Sequence, residues 1–279
     1  METVIETKQR GFSSAALKLI AIVLMFVDHF AVVFRPAIEG AFDGGDTLYT
    51  LMRTAARIAF PIFAYCIAAG AVYTSNIYKY MLRLAAFAVI SEVPFDRAFN
   101  GAWLEFTYQN VFFTLLLGLL SIALYAQLRK RNLEVFAFVL LAGLAYAAEE
   151  LLKTDYGAMG VICIFLFYVF LQTKAPVKQI GLALTCLLVS FMLSFRPYVN
   201  PVSYYVLPGT VMTFHDLHMD ASVLFNSAEL FAVAAAPFIL LHSGQKGRKI
   251  NKWFFYAFYP GHLLLLAVAY RLIFRVWPG

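Results

Sequence analysis

The chain has 279 residues, 62% of them apolar and only 14% charged, against roughly 45–50% and about 25% in an ordinary soluble domain. One soluble core cannot bury that much apolar surface, which excludes a soluble enzyme, a disordered chain and a fibrous protein. The net charge of +6 matters less than where the charges fall, because loop charge sets membrane orientation.

A membrane span needs about 20 mostly apolar residues. In chain order the runs are 14–34, 53–74, 80–98, 109–128, 133–149, 157–172, 177–195, 221–241 and 253–274. They predict an all-α polytopic bundle of about nine (8–10) transmembrane helices, in which 196–220 has room for a re-entrant or tenth segment. Residues 1–13 form a short N-terminal segment and 14–279 one membrane domain. Lys18, Asp28 and His29 interrupt the first apolar run and no small-residue cleavage site follows, so it reads as a span and not a signal peptide. Cys66, Cys163 and Cys186 all lie inside apolar runs, where packing, not a disulfide framework, is expected.

Loop charges test this layout. With the N-terminus inside, the inner segments carry Lys8, Arg10, Lys79, Arg129, Lys130, Arg131, Lys174, Lys178, Lys246, Arg248, Lys249 and Lys252. The outer loops carry Arg35, Arg53, Arg97, Lys153 and Arg196, and hold most of the acidic residues, Glu39, Asp43, Asp46, Glu149, Glu150 and Asp155 among them. The positive-inside bias therefore predicts a multi-pass plasma-membrane protein with a cytoplasmic N-terminus.

Ionisable groups inside spans are costly and mark function by default. The chain has Lys18, Asp28 and His29 in the first span, Arg57 in the second, Arg83 and Glu92 in the third, Glu229 in the eighth and His262 in the ninth. Arg83, near a span end, reads as snorkelling; Glu229 is open between a structural and a functional role. Lys18 and His29 are eleven residues apart, so they share a helix face and stand roughly 16 Å apart. Asp28 points away from His29 and is expected to pair elsewhere, with Arg57 as a candidate. Pro61, Pro94 and Pro260-Gly261 sit near Arg57, Glu92 and His262. A proline frees the carbonyl four residues back, and irregular backbone at membrane depth belongs against protein or water. These features predict one polar cavity, reached from outside and lined by the first, second, third and ninth spans. Salt bridges that merely hold the bundle together are the alternative.

In such a cavity His29 is the candidate general base, Glu92 its orienter, and Arg57 the group that holds negative charge. No G-x-S-x-G or H-E-x-x-H motif is present. His215, Asp216, His218 and Asp220 read as a solvated loop, and no metal is expected. A transporter with broken helices carries the same marks, so the residues alone leave enzyme and permease both open.

Six segments add to this: KLIAIVLMFVDH (18–29), RIAFPIFAYCIAAGAVYT (57–74), YKYMLRLAAFAVISEVPFD (78–96), NVFFTLLLG (110–118), DYGAMGV (155–161) and FYAFYPGHLLLL (255–266). In order and spacing they resemble the TraX family, whose founding members are implicated in N-acetylating conjugative pilin. Ala56 departs from the glycine usual before the arginine. The family in turn resembles a wider group of integral-membrane acyltransferases, many with a basic residue, ten intervening residues and a histidine in the first helix, as Lys18 and His29 stand here. The resemblance implies transfer of acetyl from acetyl-CoA to an acceptor, a protein amine or glycan, at the membrane or its outer face. Membrane lipid is the surrounding partner and no nucleic acid is expected. His29, Glu92 and Arg57 would carry the chemistry and Lys18 would meet the donor. Asp28, Asn110, Asp155, Tyr259 and His262 would line the site.

Overall fold

A computed structural model describes residues 11–199 and 228–278. Regular structure among them is helical, with two isolated β-bridges, Phe12 to His242 and Gln109 to Thr154. The elements are α1 (Ser14–Val33), α2 (Arg35–Gly40), α3 (Gly45–Ala56), α4 (Ala59–Tyr73), α5 (Ile77–Phe99), α6 (Val111–Arg129) and α7 (Glu134–Tyr146). A π-helical turn (Ala147–Leu151) then leads to α8 (Gly157–Leu171) and α9 (Val177–Val199). Beyond residue 227 come a 3-10 segment (Ala228–Ala235), α10 (Ala236–Leu240) and α11 (Lys252–Phe274).

Each predicted span coincides with helix wherever it is described. Among the described residues, four helical stretches, Ser14–Val33, Gly45–Tyr73, Val111–Arg129 and Lys252–Phe274, are long and apolar enough to cross a membrane. Nine crossings are therefore not established by length and composition. Residues 221–227 of the eighth span, and the segment 200–220, lie outside the described residues. Large apolar side chains face outward along the helices: Leu82 is 70% and Val89 68% exposed on α5, and Val135 and Val139 stand out from α7. Contiguous apolar surface of this kind is unsuited to water. It fits lipid, and with the apolar helices it makes this a membrane protein.

Local chemistry sets the helix starts. Ser13, Asn76, Asn110 and Asn251 cap α1, α5, α6 and α11, each side chain accepting from a backbone N–H of the first turn. Of the three prolines expected to break helices, only Pro61 does. It falls in the first turn of α4, where its missing N–H costs nothing, and α3 stops at Ala56 just before it. Pro94 and Pro260 lie inside continuous α5 and α11. Neighbouring turns hold both helices together, and each proline merely removes one backbone donor.

At the centre is α8, too short at about 22 Å to span the bilayer alone. Neighbours α4, α6, α7 and α9 enclose it, and Val161, Cys163, Ile164, Phe165 and Phe167 are all but inaccessible. Close packing requires glycine on both sides: a Cβ at Gly118 of α6 would strike Ile164, and one at Gly160 of α8 would strike Thr114. On the other flank α5, α1 and α11 pack together, which brings the first and last described helices side by side.

A small latch joins the segment before α1 to the stretch that follows α10. Phe12 and the segment from Leu241 to Ser243 exchange backbone hydrogen bonds at 2.8 Å. The His242 ring meets the Ser14 hydroxyl through Nε2 at 2.9 Å and the Tyr65 hydroxyl through Nδ1 at 2.8 Å. Burial, with a smaller contribution from Lys178, holds His242 below the usual imidazole range.

Candidate functional site: an imidazole pair beside an ion network

Arg57 follows the last residue of α3, at the break before α4, where the chain passes close to α1. All three of its guanidinium nitrogens are engaged. Nε donates to the Arg53 carbonyl at 3.1 Å, Nη2 to Asp28 Oδ1 at 2.6 Å and Nη1 to Glu229 Oε1 at 3.0 Å. Arg53, one turn earlier, donates to the second Asp28 oxygen at 2.6 Å. Asp28 thus bridges two arginines, one of them the partner named for it from the sequence. Buried charge of this kind holds only when paired and hydrogen-bonded on every side.

The next residue along α1 is His29. Its Nδ1 lies 2.7 Å from Nε2 of His262 on α11, with the ring planes 7° from parallel. His262 Nδ1 in turn lies 2.7 Å from the Phe258 carbonyl oxygen. Phe99 and Tyr259 meet His29 edge-on with centroids at 5.2 and 5.8 Å, and Phe258 stacks on His262 at 4.8 Å. His262 is buried and His29 half-buried.

Glu92 stands elsewhere than expected. Its Oε1 accepts from the Asn110 backbone N–H at 3.0 Å and from the Asn110 side-chain amide, and its Oε2 is buried with no hydrogen-bond partner. No hydrogen bond or ion pair joins it to His29 among the described residues; His262 holds the place foreseen for this carboxylate. The reason is the start of α6, whose unpaired N–H groups draw a negative oxygen. Asn110 is fully buried, donates also to the Ala88 carbonyl at 2.8 Å and caps Phe112. Asp155 accepts from the Tyr108 hydroxyl at 2.8 Å and its backbone N–H donates to the Gln109 carbonyl. It is therefore tied to the loop before α6.

The cavity also differs from the one expected. A space of about 280 Å³ is lined by α1, α4, α5, α6 and α11, the foreseen set of helices plus α6. Its polar rim, however, is Lys18, Thr74, Arg83 and Lys252, at the basic end of the bundle and not at the acidic one. Neither His29 nor Arg57 lines it. Tyr259 does, and the same ring meets His29 edge-on at 5.8 Å. Lys18 lies over the Phe255 ring at 5.3 Å.

Arg53, Arg83 and Lys252 escaped sequence reasoning because each sits at a span end, where a cation ordinarily snorkels. One signal for Arg53 was present: it stands four residues before Arg57, on the same helix face. His215, Asp216, His218 and Asp220 lie outside the described residues. Among the described residues no group of three or more His, Cys, Asp or Glu is placed to hold a metal ion.

A family model described as TraX protein matches residues 13–269. The chain is 30% identical over 268 residues to a probable fimbrial assembly protein FimC, serogroup H1, of Dichelobacter nodosus. That alignment covers 92% of this chain and 96% of the relative. No solved structure matches. With the family model running through almost the whole helical bundle, this chain belongs to the TraX family.

Proposed function

We propose that this protein is an integral-membrane acetyltransferase, with acetyl-CoA as donor and an amine or hydroxyl as acceptor. The observation that carries the reading is the meeting of a cation-rimmed cavity with an imidazole pair across one tyrosine ring. Lys18, Arg83 and Lys252 suit an anionic nucleotide at the rim, which the positive-inside pattern assigns to the cytoplasm, where acetyl-CoA is held. A space of about 280 Å³ is at the small end of ligand pockets. It takes an extended arm and leaves the nucleotide outside.

In the reaction, an acceptor nitrogen or oxygen attacks the thioester carbonyl. A C–N or C–O bond forms as the C–S bond breaks. His29 takes the acceptor's proton and returns it to the departing thiolate, so the donor leaves as the thiol and His29 ends neutral. Arg57, locked between Asp28 and Glu229, fixes Asp28 and with it the turn of α1 that carries His29. Glu92 acts through Asn110, by holding the start of α6 against the cavity floor. The fimbrial assembly name of the relative favours a pilin-type protein as acceptor.

The test is purified protein in nanodiscs with labelled acetyl-CoA and two acceptors, a pilin N-terminal peptide and a glycan. Wild type transfers label to one of them, and His29→Ala lowers the rate by about 10²–10⁴-fold, the usual worth of a positioned base. Lys18→Ala with Arg83→Ala raises the donor KM far more than it lowers kcat. Equal transfer by wild type and His29→Ala would refute the assignment. Uptake of a small solute without acetyl transfer would move the protein to the permeases.

A further inference from the structure

Two neutral imidazoles in hydrogen-bond contact can share their protons in only certain ways, and this pair is anchored at one end. The Phe258 carbonyl oxygen is an acceptor only, so His262 Nδ1, 2.7 Å away, carries a proton and donates. The remaining nitrogen of His262 is then either a bare acceptor or, in the doubly protonated ring, a second donor. The doubly protonated form would place a full positive charge on a ring 5% exposed. Among the described residues no carboxylate hydrogen-bonds to it, and Asp28, the residue before His29, is already held by Arg53 and Arg57. Burying that charge unpaired is prohibitive. His262 is thus neutral, and its Nε2 accepts.

The consequence passes to α1. For His262 Nε2 to accept at 2.7 Å, His29 Nδ1 must donate. A neutral His29 has one ring proton, so its Nε2 holds a lone pair. A free histidine in water prefers the opposite arrangement, with the proton on Nε2. We propose that His262 is the positioning residue of this site: it fixes the His29 tautomer with the proton on Nδ1 and leaves Nε2 as the bare nitrogen presented to the acceptor.

The functional meaning of this chain of hydrogen bonds rests on the acetyltransferase reading, but the chain itself does not. It takes the part that a carboxylate plays in other base–orienter pairs. The difference is chemical: a neutral imidazole orients without adding negative charge, so His29 is aimed while the pair stays neutral. Its anchorage is helical. His262 reaches back one turn along α11 to Phe258, a geometry that sets the ring before His29 meets it.

The experiment is nitrogen-15 NMR of histidine-labelled protein in nanodiscs, near neutral pH, with ring signals identified by His29→Asn and His262→Gln. In wild type, His29 is expected to show a proton-bearing Nδ1 and a bare Nε2. His262→Gln keeps that pattern, because its amide oxygen also accepts. His262→Leu returns His29 to the Nε2-protonated form or to a mixture. On transfer, His262→Leu loses at least tenfold in kcat with donor KM unchanged, and His262→Gln recovers most of it. A wild-type His29 protonated mainly on Nε2 overturns the proposal, as does an unchanged His29 tautomer in folded His262→Leu. If His262→Leu does not fold, the wild-type spectrum decides alone. Expected tautomers with no transfer to any acceptor would sink the enzymatic reading and leave the positioning intact.

Discussion

Removal of the Asp28 carboxylate probes the ion network most directly. Each of its oxygens holds a guanidinium at 2.6 Å, and the two arginines differ in setting: the Arg57 side chain is 9% exposed and that of Arg53 30%. In Asp28→Ala, Arg53 turns toward solvent, while Arg57 keeps Glu229 and the Arg53 carbonyl but loses its shortest partner. Breaking a buried pair costs about 3–5 kcal/mol, and the partners left to Arg57 put this case near about 3. At roughly 2–4 °C per kcal/mol, the midpoint of thermal unfolding in detergent should fall by about 6–12 °C. A double-mutant cycle then separates the arms. Asp28→Ala with Arg57→Ala should show coupling of about 2 kcal/mol, and Asp28→Ala with Arg53→Ala under about 1. A midpoint lowered by less than about 2 °C, or equal coupling to both arginines, would refute the view that Asp28 exists to neutralise Arg57.

Three further outcomes follow from packing and titration. Asn110→Ala removes both the α6 cap and the side-chain donor to buried Glu92; together these should cost about 2–4 kcal/mol in the same unfolding assay. Gly160→Val should cost about 1–3 kcal/mol through collision with Thr114, Tyr156 and Phe60, whereas Gly143→Ala, with open space around it, should gain up to about 1. His242 is held neutral by burial, so the unfolded chain binds its proton more readily than the fold. Its contribution to stability is whole above about pH 6.5 and is lost as pH falls from there through the lower folded value. His242→Gln should therefore lose less midpoint than wild type between about pH 7 and 5, and parallel pH curves would contradict the latch.

Much of the fold is written in hydrophobicity. The apolar runs marked the long described helices, since a stretch of lipid-soluble side chains has few other places to go, but not α2 or the first two turns of α3. What they could not separate was crossing from burial. α8 reads like a span of 157–172 yet is 15 residues long and wrapped by protein, because a core helix and a lipid helix are both apolar all round. Among the site residues, the pairing of Asp28 with Arg57 was legible because a buried charge demands its opposite. Glu92 was misplaced for the same reason: its apparent need of a partner was met by the amides at the start of α6, a donor that no charge count records. His29 and His262 were expected in one cavity, but their direct hydrogen bond, across 233 residues, was not legible, since nothing in the chain fixes how two neighbouring helices are rotated toward each other.

The spacing along α1 bears on which donor such a bundle could serve. Lys18 at the cavity rim and His29 beside its floor are separated by eleven residues, roughly 16 Å of helix. On the proposed reading, anion recognition and acyl chemistry therefore occur at opposite ends of one face. A compact donor such as an acyl phosphate carries its charge next to the reacting carbonyl and would bring only one end into use. A donor with its phosphates at one end of a long neutral arm and its thioester at the other matches both. The cavity between them agrees: beyond the cationic rim its walls are chiefly Met25, Phe63, Ile67, Leu115, Phe112 and Tyr259, side chains that favour an uncharged chain over a charged one. Shortening the donor to acetylated pantetheine should then raise KM steeply while leaving kcat nearly unchanged, since the lost phosphates bind equally in ground and transition states. Equal KM for the two donors would mean that Lys18, Arg83 and Lys252 take no part in holding the donor.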